Sequence, residues 1–352
     1  MRRMLIACVA LLLPAMAPAQ SATQVAERAG FVGTILISQG HVVETRTSIG
    51  SAAPTGGAPV ATDAVWRWAS VTKQIVATLV MQEVAAGRVA LDTPIARYLP
   101  KFRGPTAGQI TVRQLLRHQS GLPNPSGDET AVPVYYTPSY KGDRSPLTGY
   151  CAGKPLTAPG GNWQYNNCDY IVAGALLEAV TGKSWDRLLR YRITAPLRLR
   201  SVSATRSLVA TVPGYEDGKP EAPQDLASYG ASAALSGTID DLWRVDRALL
   251  SGQLLTPAAR AELWDGQPAL GFIALGQWVF TAPLKGCAKP VKLVERRGSI
   301  GGVEVRNFLL PEADRVVIAF SNRAPFEFGE VWQGKGFSHD LLAAAACAPG
   351  EK

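Results

Sequence analysis

Apolar, β-branched runs stand at opposite ends of this 352-residue chain, with helical patterns between them. Phe31 to Ser38 reads as a strand, Gly40 offers a turn, and Val42 to Thr47 alternates as a second strand. Far downstream, from Leu270 to Ser321, the strand pattern returns, clearest over Val303 to Leu310 and Arg315 to Phe320. Between these ends, apolar residues recur at helical spacing from Ser70 to Ala86, stopping at Gly87. Further helices are expected over Thr111 to His118, Asp169 to Thr181, Ser184 to Tyr191 and Thr238 to Leu250. An Ala-rich helix over Phe337 to Ala346 closes the chain. Strands at both ends with helices between imply one antiparallel sheet assembled from both ends. The expected class is α/β of the α+β type, with helices flanking the sheet and a mostly helical lobe inserted. The sheet lobe covers about residues 24–75 and 268–348, and the helical lobe about 76–267. Residues 50–62 form a low-complexity loop. Residues 120–162 lack periodicity, and long ordered segments of that kind are often functional.

The beginning of the chain sets the expected compartment. Arg2 and Arg3 precede an apolar run from Met4 to Met16, then Ala17-Pro18-Ala19. This is the pattern of a secretory leader cut after Ala19. The run is interrupted by Pro14 and falls short of the roughly 20 apolar residues that span a bilayer, so no stable membrane anchor is expected. Leu5-Ile6-Ala7-Cys8 precedes the apolar stretch instead of following it, and is not a lipidation site. The remainder, residues 20–352, is then a single exported, periplasmic or secreted domain.

Beyond the leader stand Cys151, Cys168, Cys287 and Cys347. Four cysteines in an oxidising compartment allow three pairings, and the sequence-nearest pairs, Cys151–Cys168 and Cys287–Cys347, are favoured. No C-x-x-C or H-x-x-x-H spacing points to a metal. The formal charge of +8 would suit a polyanion, but the positive residues are dispersed, no recognition motif is present, and export removes nucleic acid from reach. With 47% hydrophobic and 18% charged residues, the chain is a core-forming protein and not a disordered one.

Only three histidines, His41, His118 and His339, are available for a histidine-based hydrolase, and no G-x-S-x-G stretch occurs. Phosphate-binding glycine loops are absent too. Ser70-Val71-Thr72-Lys73 offers a nucleophile that needs no histidine: S-x-x-K at the start of an amphipathic helix places both side chains on one face. The helix N-terminus there favours developing negative charge, and a buried Lys73 loses its proton more easily than in water. Ser70 is the only serine three residues before any of the eleven lysines. Tyr165-Asn166-Asn167 adds a phenol able to relay a proton and an amide able to orient Lys73 or bind a substrate carbonyl. Arg296-Arg297-Gly298-Ser299 reads as a strand edge, where Gly298 permits close approach and Ser299 offers a backbone N–H. The bland alternatives are an N-cap serine with a surface lysine, a loop turn, and a solvated basic edge.

Taken together, these segments resemble the serine β-lactamase and penicillin-binding family, closest to its class C β-lactamase branch. Trp68-Ala69-Ser70-Val71-Thr72-Lys73-Gln74 is similar to its nucleophile segment, and Ile110 through Pro123, with Leu115-Leu116-Arg117-His118-Gln119-Ser120-Gly121-Leu122-Pro123, to its L-L-x-H-T-S-G-L-P stretch. Tyr165-Asn166-Asn167 falls where the family has Tyr-x-Asn, before a similar helix from Tyr170 to Gly182, and Thr238 through Pro257 is similar to a later helical segment. The resemblance implies a β-lactamase/transpeptidase-like fold and no cofactor. It implies Ser70 as acylated nucleophile, Lys73 as its activating partner, Tyr165 as general base, and Asn167 holding Lys73 and substrate. The N–H groups of Ser70 and Ser299 would form the oxyanion hole. Two positions depart: Asn166 stands where Ser is usual, and Arg296-Arg297-Gly298 replaces Lys-Thr-Gly or His-x-Gly. Arg296 stays charged and shuttles no protons, yet it permits bidentate carboxylate binding. This weighs against efficient β-lactam hydrolysis and leaves the small-molecule or peptide substrate open. The leading expectation is an acyl-enzyme hydrolase of amide, ester or β-lactam carbonyls. The alternative is a catalytically weak relative that binds peptidoglycan fragments or another periplasmic ligand. Quaternary state is not legible.

Overall fold

The computed structural model describes residues 21–125, 132–204 and 212–347. The expected leader, residues 1–19, lies outside them. The sheet starts with β1 (Gly33–Gln39) and β2 (Val42–Ile49) and is completed by β3 (Trp278–Ala282), β4 (Val291–Ile300), β5 (Val303–Leu310) and β6 (Arg315–Ser321). Its order is β2-β1-β6-β5-β4-β3, and every neighbouring pair is antiparallel. The first strand therefore lies beside the last, with Leu36 opposite Ile318.

β1 and β6 are buried on both faces, which is why they read as nearly continuous apolar runs. Successive side chains point to opposite faces. Ile35, Ile37, Val317 and Ala319 meet α1 (Ala22–Arg28) and the closing helix, Phe337–Ala346. Leu36, Val316, Ile318 and Phe320 join the larger core with the other helices. These are α2 (Thr72–Ala85), α3 (Val112–Leu116), α4 (Asn167–Thr181), α5 (Trp185–Leu189), α6 (Ile239–Leu250) and α7 (Pro257–Leu263), which makes the closing helix α8. Each fully buried Ile, Leu or Phe contributes about 1.5–3 kcal/mol of transfer free energy.

One expectation needs correction. The helix carrying Lys73 is not amphipathic: Thr72 through Met81 are all buried, because α2 runs through the interior between α4, α7 and the sheet side. A helix apolar all round belongs inside a large domain, and Lys73 is taken in with it. The helix α1 lies outside the helices that periodicity marks, although Ser21 and Gln24 form a capping box that signals its start. Other starts also carry side-chain caps. Thr111 caps α3 and Thr238 caps α6, each side chain accepting a backbone N–H at the third helical position. Asn166 caps α4, accepting from the Cys168 N–H at 2.8 Å, and Gly182 ends that helix at φ +67°.

Both favoured disulfides are present. Cys151–Cys168 ties the irregular segment to the first turn of α4, and Cys287–Cys347 ties the β3–β4 connection to the end of α8.

Candidate active site

Ser70 sits in a single tight turn, Ala69–Val71, that leads directly into α2. Ala69 adopts φ +46°, a left-handed conformation that costs a residue with a β-carbon about 1–2 kcal/mol. Neighbouring bonds hold the turn there. The Trp68 N–H donates to Leu235 O at 2.9 Å and its indole N–H to Gly237 O at 3.0 Å. Thr72 donates its hydroxyl to Ala69 O at 2.7 Å.

Ser70, Lys73, Tyr165 and Asn167 converge. Ser70 Oγ lies 2.5 Å from the Tyr165 hydroxyl, and Lys73 Nζ donates to Ser70 Oγ at 3.1 Å, Tyr165 OH at 2.7 Å, Asn167 Oδ1 at 2.7 Å and Ser232 O at 3.0 Å. An ammonium has three protons for these four oxygens, and the Ser70 contact is the longest. Burial pushes Lys73 down to about 8, aided by Arg296 and opposed by Tyr165. Burial pushes the Tyr165 phenol up, but the Lys73 and Arg296 charges and the bonds from Lys73 and Ser70 outweigh it and bring it down to about 8. Both groups therefore titrate in the same range, and both lie within reach of the Ser70 hydroxyl.

The third segment runs along β4. Its neighbour β3 pairs only as far as Glu295, opposite Trp278, so beyond that residue this edge of β4 is open. The side chain of Arg296 is fully buried and turned inward: Nε donates to Ser70 O at 2.8 Å and Nη2 to Tyr165 OH at 3.2 Å. The expected basic rim gripping a carboxylate is therefore not what Arg296 forms. Its guanidinium is engaged with the Ser70 turn and the phenol, because strand alternation points it at α2. A cleft of about 380 Å³ opens beside Ser70, walled by Trp163, Tyr165, Trp278, Gly298 and Ser299 and by charged residues of β4 and β5. Ser70, Tyr165, Arg296, Gly298 and Ser299 all line it, whereas Lys73 and Asn167 stand behind.

The beta-lactamase family model matches residues 22–333, nearly all of the described chain. The chain belongs to the beta-lactamase family. It is 36% identical over 210 residues to esterase EstB of Burkholderia gladioli, a stretch covering 54% of this chain and only 52% of the esterase. It is 25% identical over 305 residues to the D-alanyl-D-alanine-carboxypeptidase/endopeptidase AmpH of Escherichia coli K12, covering 79% of this chain and 76% of that one. A D-stereospecific amidohydrolase from Streptomyces sp. superposes with a TM-score of 0.71 at 25% identity, over 94% of this chain and 98% of its own. These relatives differ in activity while sharing a family, so membership specifies the scaffold and not the substrate.

In this beta-lactamase-family chain, several contacts to the site come from residues that no motif marked. Asn124 Oδ1 accepts the Asn167 N–H at 2.9 Å, and Asn167 Nδ2 donates to Tyr136 OH at 2.9 Å, so part of the amide expected to face substrate is engaged internally. Asn124 and Tyr136 belong to the aperiodic segment, and the aromatic Tyr135-Tyr136 pair in a Pro-rich stretch is the only local sign of them. Behind Tyr165, His118 Nδ1 lies 2.9 Å from Asp169 Oδ2, and Ser120 donates to the same carboxyl. Burial holds the imidazole well below its ordinary value, with Lys73 and Arg296 adding to the effect. Burial also holds the Asp169 carboxyl well above its own. The imidazole braces the Tyr165 ring from behind, with ring centroids 4.9 Å apart.

Proposed function

We propose that this chain is a serine hydrolase that forms an acyl-enzyme at Ser70 on ester, amide or β-lactam carbonyls. The observation that carries the reading is the buried Ser70–Tyr165–Lys73 contact set, at 2.5, 2.7 and 3.1 Å. Tyr165, as phenolate beside the Lys73 ammonium, takes the Ser70 proton as Oγ attacks the carbonyl carbon. The N–H groups of Ser70 and Ser299 receive the oxyanion, each such donor being worth about 3 kcal/mol of barrier. On collapse, Tyr165 returns the proton to the departing oxygen or nitrogen. A water, deprotonated by the same phenolate, then attacks the acyl carbonyl, releases the acid and restores the Ser70 hydroxyl. Asn167 holds Lys73 in place, and Arg296 shares the charge of the phenolate.

Family membership and the likeness to an esterase, a D-alanyl-D-alanine carboxypeptidase and a D-stereospecific amidohydrolase support a small-molecule or peptide substrate. Export through a leader over residues 1–19 is part of the proposal, and two disulfides fit an oxidising compartment. Among the described residues no helix is long and apolar enough to cross a membrane.

The test is intact-mass analysis after exposure to a fluorophosphonate and, separately, to a penicillin. A single adduct on the wild type that Ser70→Ala abolishes is the expected result. No adduct, or equal labelling of the variant, would overturn the acyl-enzyme reading and leave a ligand-binding relative in its place.

A further inference from the structure

The cleft wall beyond Ser299 is charged, yet its Arg297 is already matched by carboxylates of the protein's own. Arg297 points away from Arg296 because successive side chains on β4 face opposite ways. Its fork grips an internal carboxylate, with Nη1 donating to Glu330 Oε1 at 2.7 Å and Nη2 to Glu330 Oε2 at 2.9 Å. Its Nε donates to Glu295 Oε1 at 3.0 Å. Trp278 and Trp332 stack on this guanidinium at 5.0 and 5.7 Å, holding it in that pose. Arg306 stands opposite Arg297 in the register, lies on the Phe328 ring at 4.4 Å and keeps Glu295 Oε1 at 3.9 Å. Glu304 accepts the Phe326 N–H at 2.8 Å. Arg297 thus meets two carboxylates, Glu330 and Glu295, while Arg306 stands 3.9 Å from Glu295 and Arg296 is turned toward Ser70 and Tyr165.

We propose that Glu330 is a specificity-determining residue: its carboxylate occupies the Arg297 fork, so the cleft selects neutral esters and amides over substrates with a free carboxylate beside the scissile bond. The inference rests on Ser70 being the nucleophile. An incoming carboxylate finds no unclaimed bidentate donor on Arg297. It must displace Glu330 while giving up its own hydration, and the displaced charge then has no partner. A neutral group has no such cost and meets the Trp163 and Trp278 rings, which pack edge to face at 6.0 Å along the same cleft.

The experiment compares two esters with the same acyl group, one with lactate and one with lactamide as the leaving alcohol, which differ in charge and little in shape. The readout is the ratio of their kcat/KM values within one protein, which cancels any loss of folded enzyme. The wild type is expected to favour the lactamide ester by about tenfold or more, the scale of one charged hydrogen-bond pair. Glu330→Gln frees the Arg297 fork, and the ratio is expected to fall by about tenfold. Arg297→Gln leaves Glu330 and Glu295 uncompensated and is expected to raise the ratio. Opposite movements are the signature of charge recognition, because a purely structural role would leave the ratio unmoved in both variants. A wild type that prefers the lactate ester, or variants whose ratios stay put or move together, overturns the inference. If neither ester is turned over in a Ser70-dependent way, the nucleophile assignment itself fails and takes the inference with it.

Discussion

Gly298 and Ser70 meet backbone to backbone: a β-carbon on Gly298 would lie 2.9 Å from the Ser70 nitrogen and 2.8 Å from Trp68 O. Two of these neighbours are main-chain atoms that have no rotamer to give, and the third is the branched Val305 side chain at 2.8 Å, so any side chain here moves β4 away from the Ser70 turn. Gly298→Ala is expected to lower kcat/KM by about 100-fold through displacement of the oxyanion donors, at a stability cost of about 1–3 kcal/mol. Steady-state kinetics on a p-nitrophenyl ester beside thermal unfolding measure both. A folded variant with wild-type kcat/KM would remove β4 from the mechanism.

Arg296 lowers the proton affinity of both Lys73 and Tyr165, each of which lies near 8. Activity is expected to rise with pH as the pair loses the first of its two protons and leaves phenolate beside ammonium, at an apparent value belonging to both groups together. Removing the positive charge in Arg296→Gln raises both affinities, so the ascending limb of kcat/KM is expected at higher pH. Arg296→Lys restores the charge and moves the limb back. A limb at the same pH in all three proteins would show that the guanidinium does not tune the pair.

Asp246 is buried between α2, α6 and β5, accepting from Gln74 at 2.8 Å and Asn307 at 3.1 Å while its Oδ2 has no partner. Burial raises its carboxyl from 3.8 to about 7, against the bonds from Asn307 and Gln74 and the charge of Arg247. The folded state therefore holds this proton where the unfolded state has lost it, and stability falls as pH rises from about 4 to about 7. Asp246→Asn is expected to unfold at a higher temperature than the wild type at pH 8 and at a similar one at pH 4. Calorimetry at the two pH values decides it, and an equal difference at both would exclude an ionisable origin.

The Cys151–Cys168 bridge closes next to Asn167, which holds Lys73. Replacing both cysteines with serine is expected to cost about 3 kcal/mol, most of it through the unfolded chain, and to lower kcat by loosening the start of α4. Denaturant titration gives the first quantity and steady-state kinetics the second. A thiol count on the unreduced, denatured protein, cut after Ala19, is expected to find none.

Much of this was readable before any fold was known. S-x-x-K named Ser70 and Lys73 because helical spacing alone puts those side chains together. Thr111, Thr238 and Gly182 marked helix ends because caps act within a few residues. The apolar runs at both ends implied a shared sheet, since strands must find partners. What escaped had no local signature. Periodicity suggested one apolar face for α2, yet its other side is covered by elements from elsewhere in the chain. Arg296 read as a free cation, because nothing nearby shows that it will meet Ser70 O, 226 positions away.

The sequence by itself determined the Ser70–Lys73 spacing, the helix caps, the strand-forming ends and the family to which they belong. These depend on contacts between near neighbours and on patterns that survive any arrangement of the rest. Only the tertiary structure decided that Lys73 is buried, that Tyr165 and Asn167 close around it, and that Glu330 occupies the Arg297 fork. Those outcomes depend on desolvation and charge pairing between distant segments, and they come into being only when β1 and β6 join the two ends of the chain.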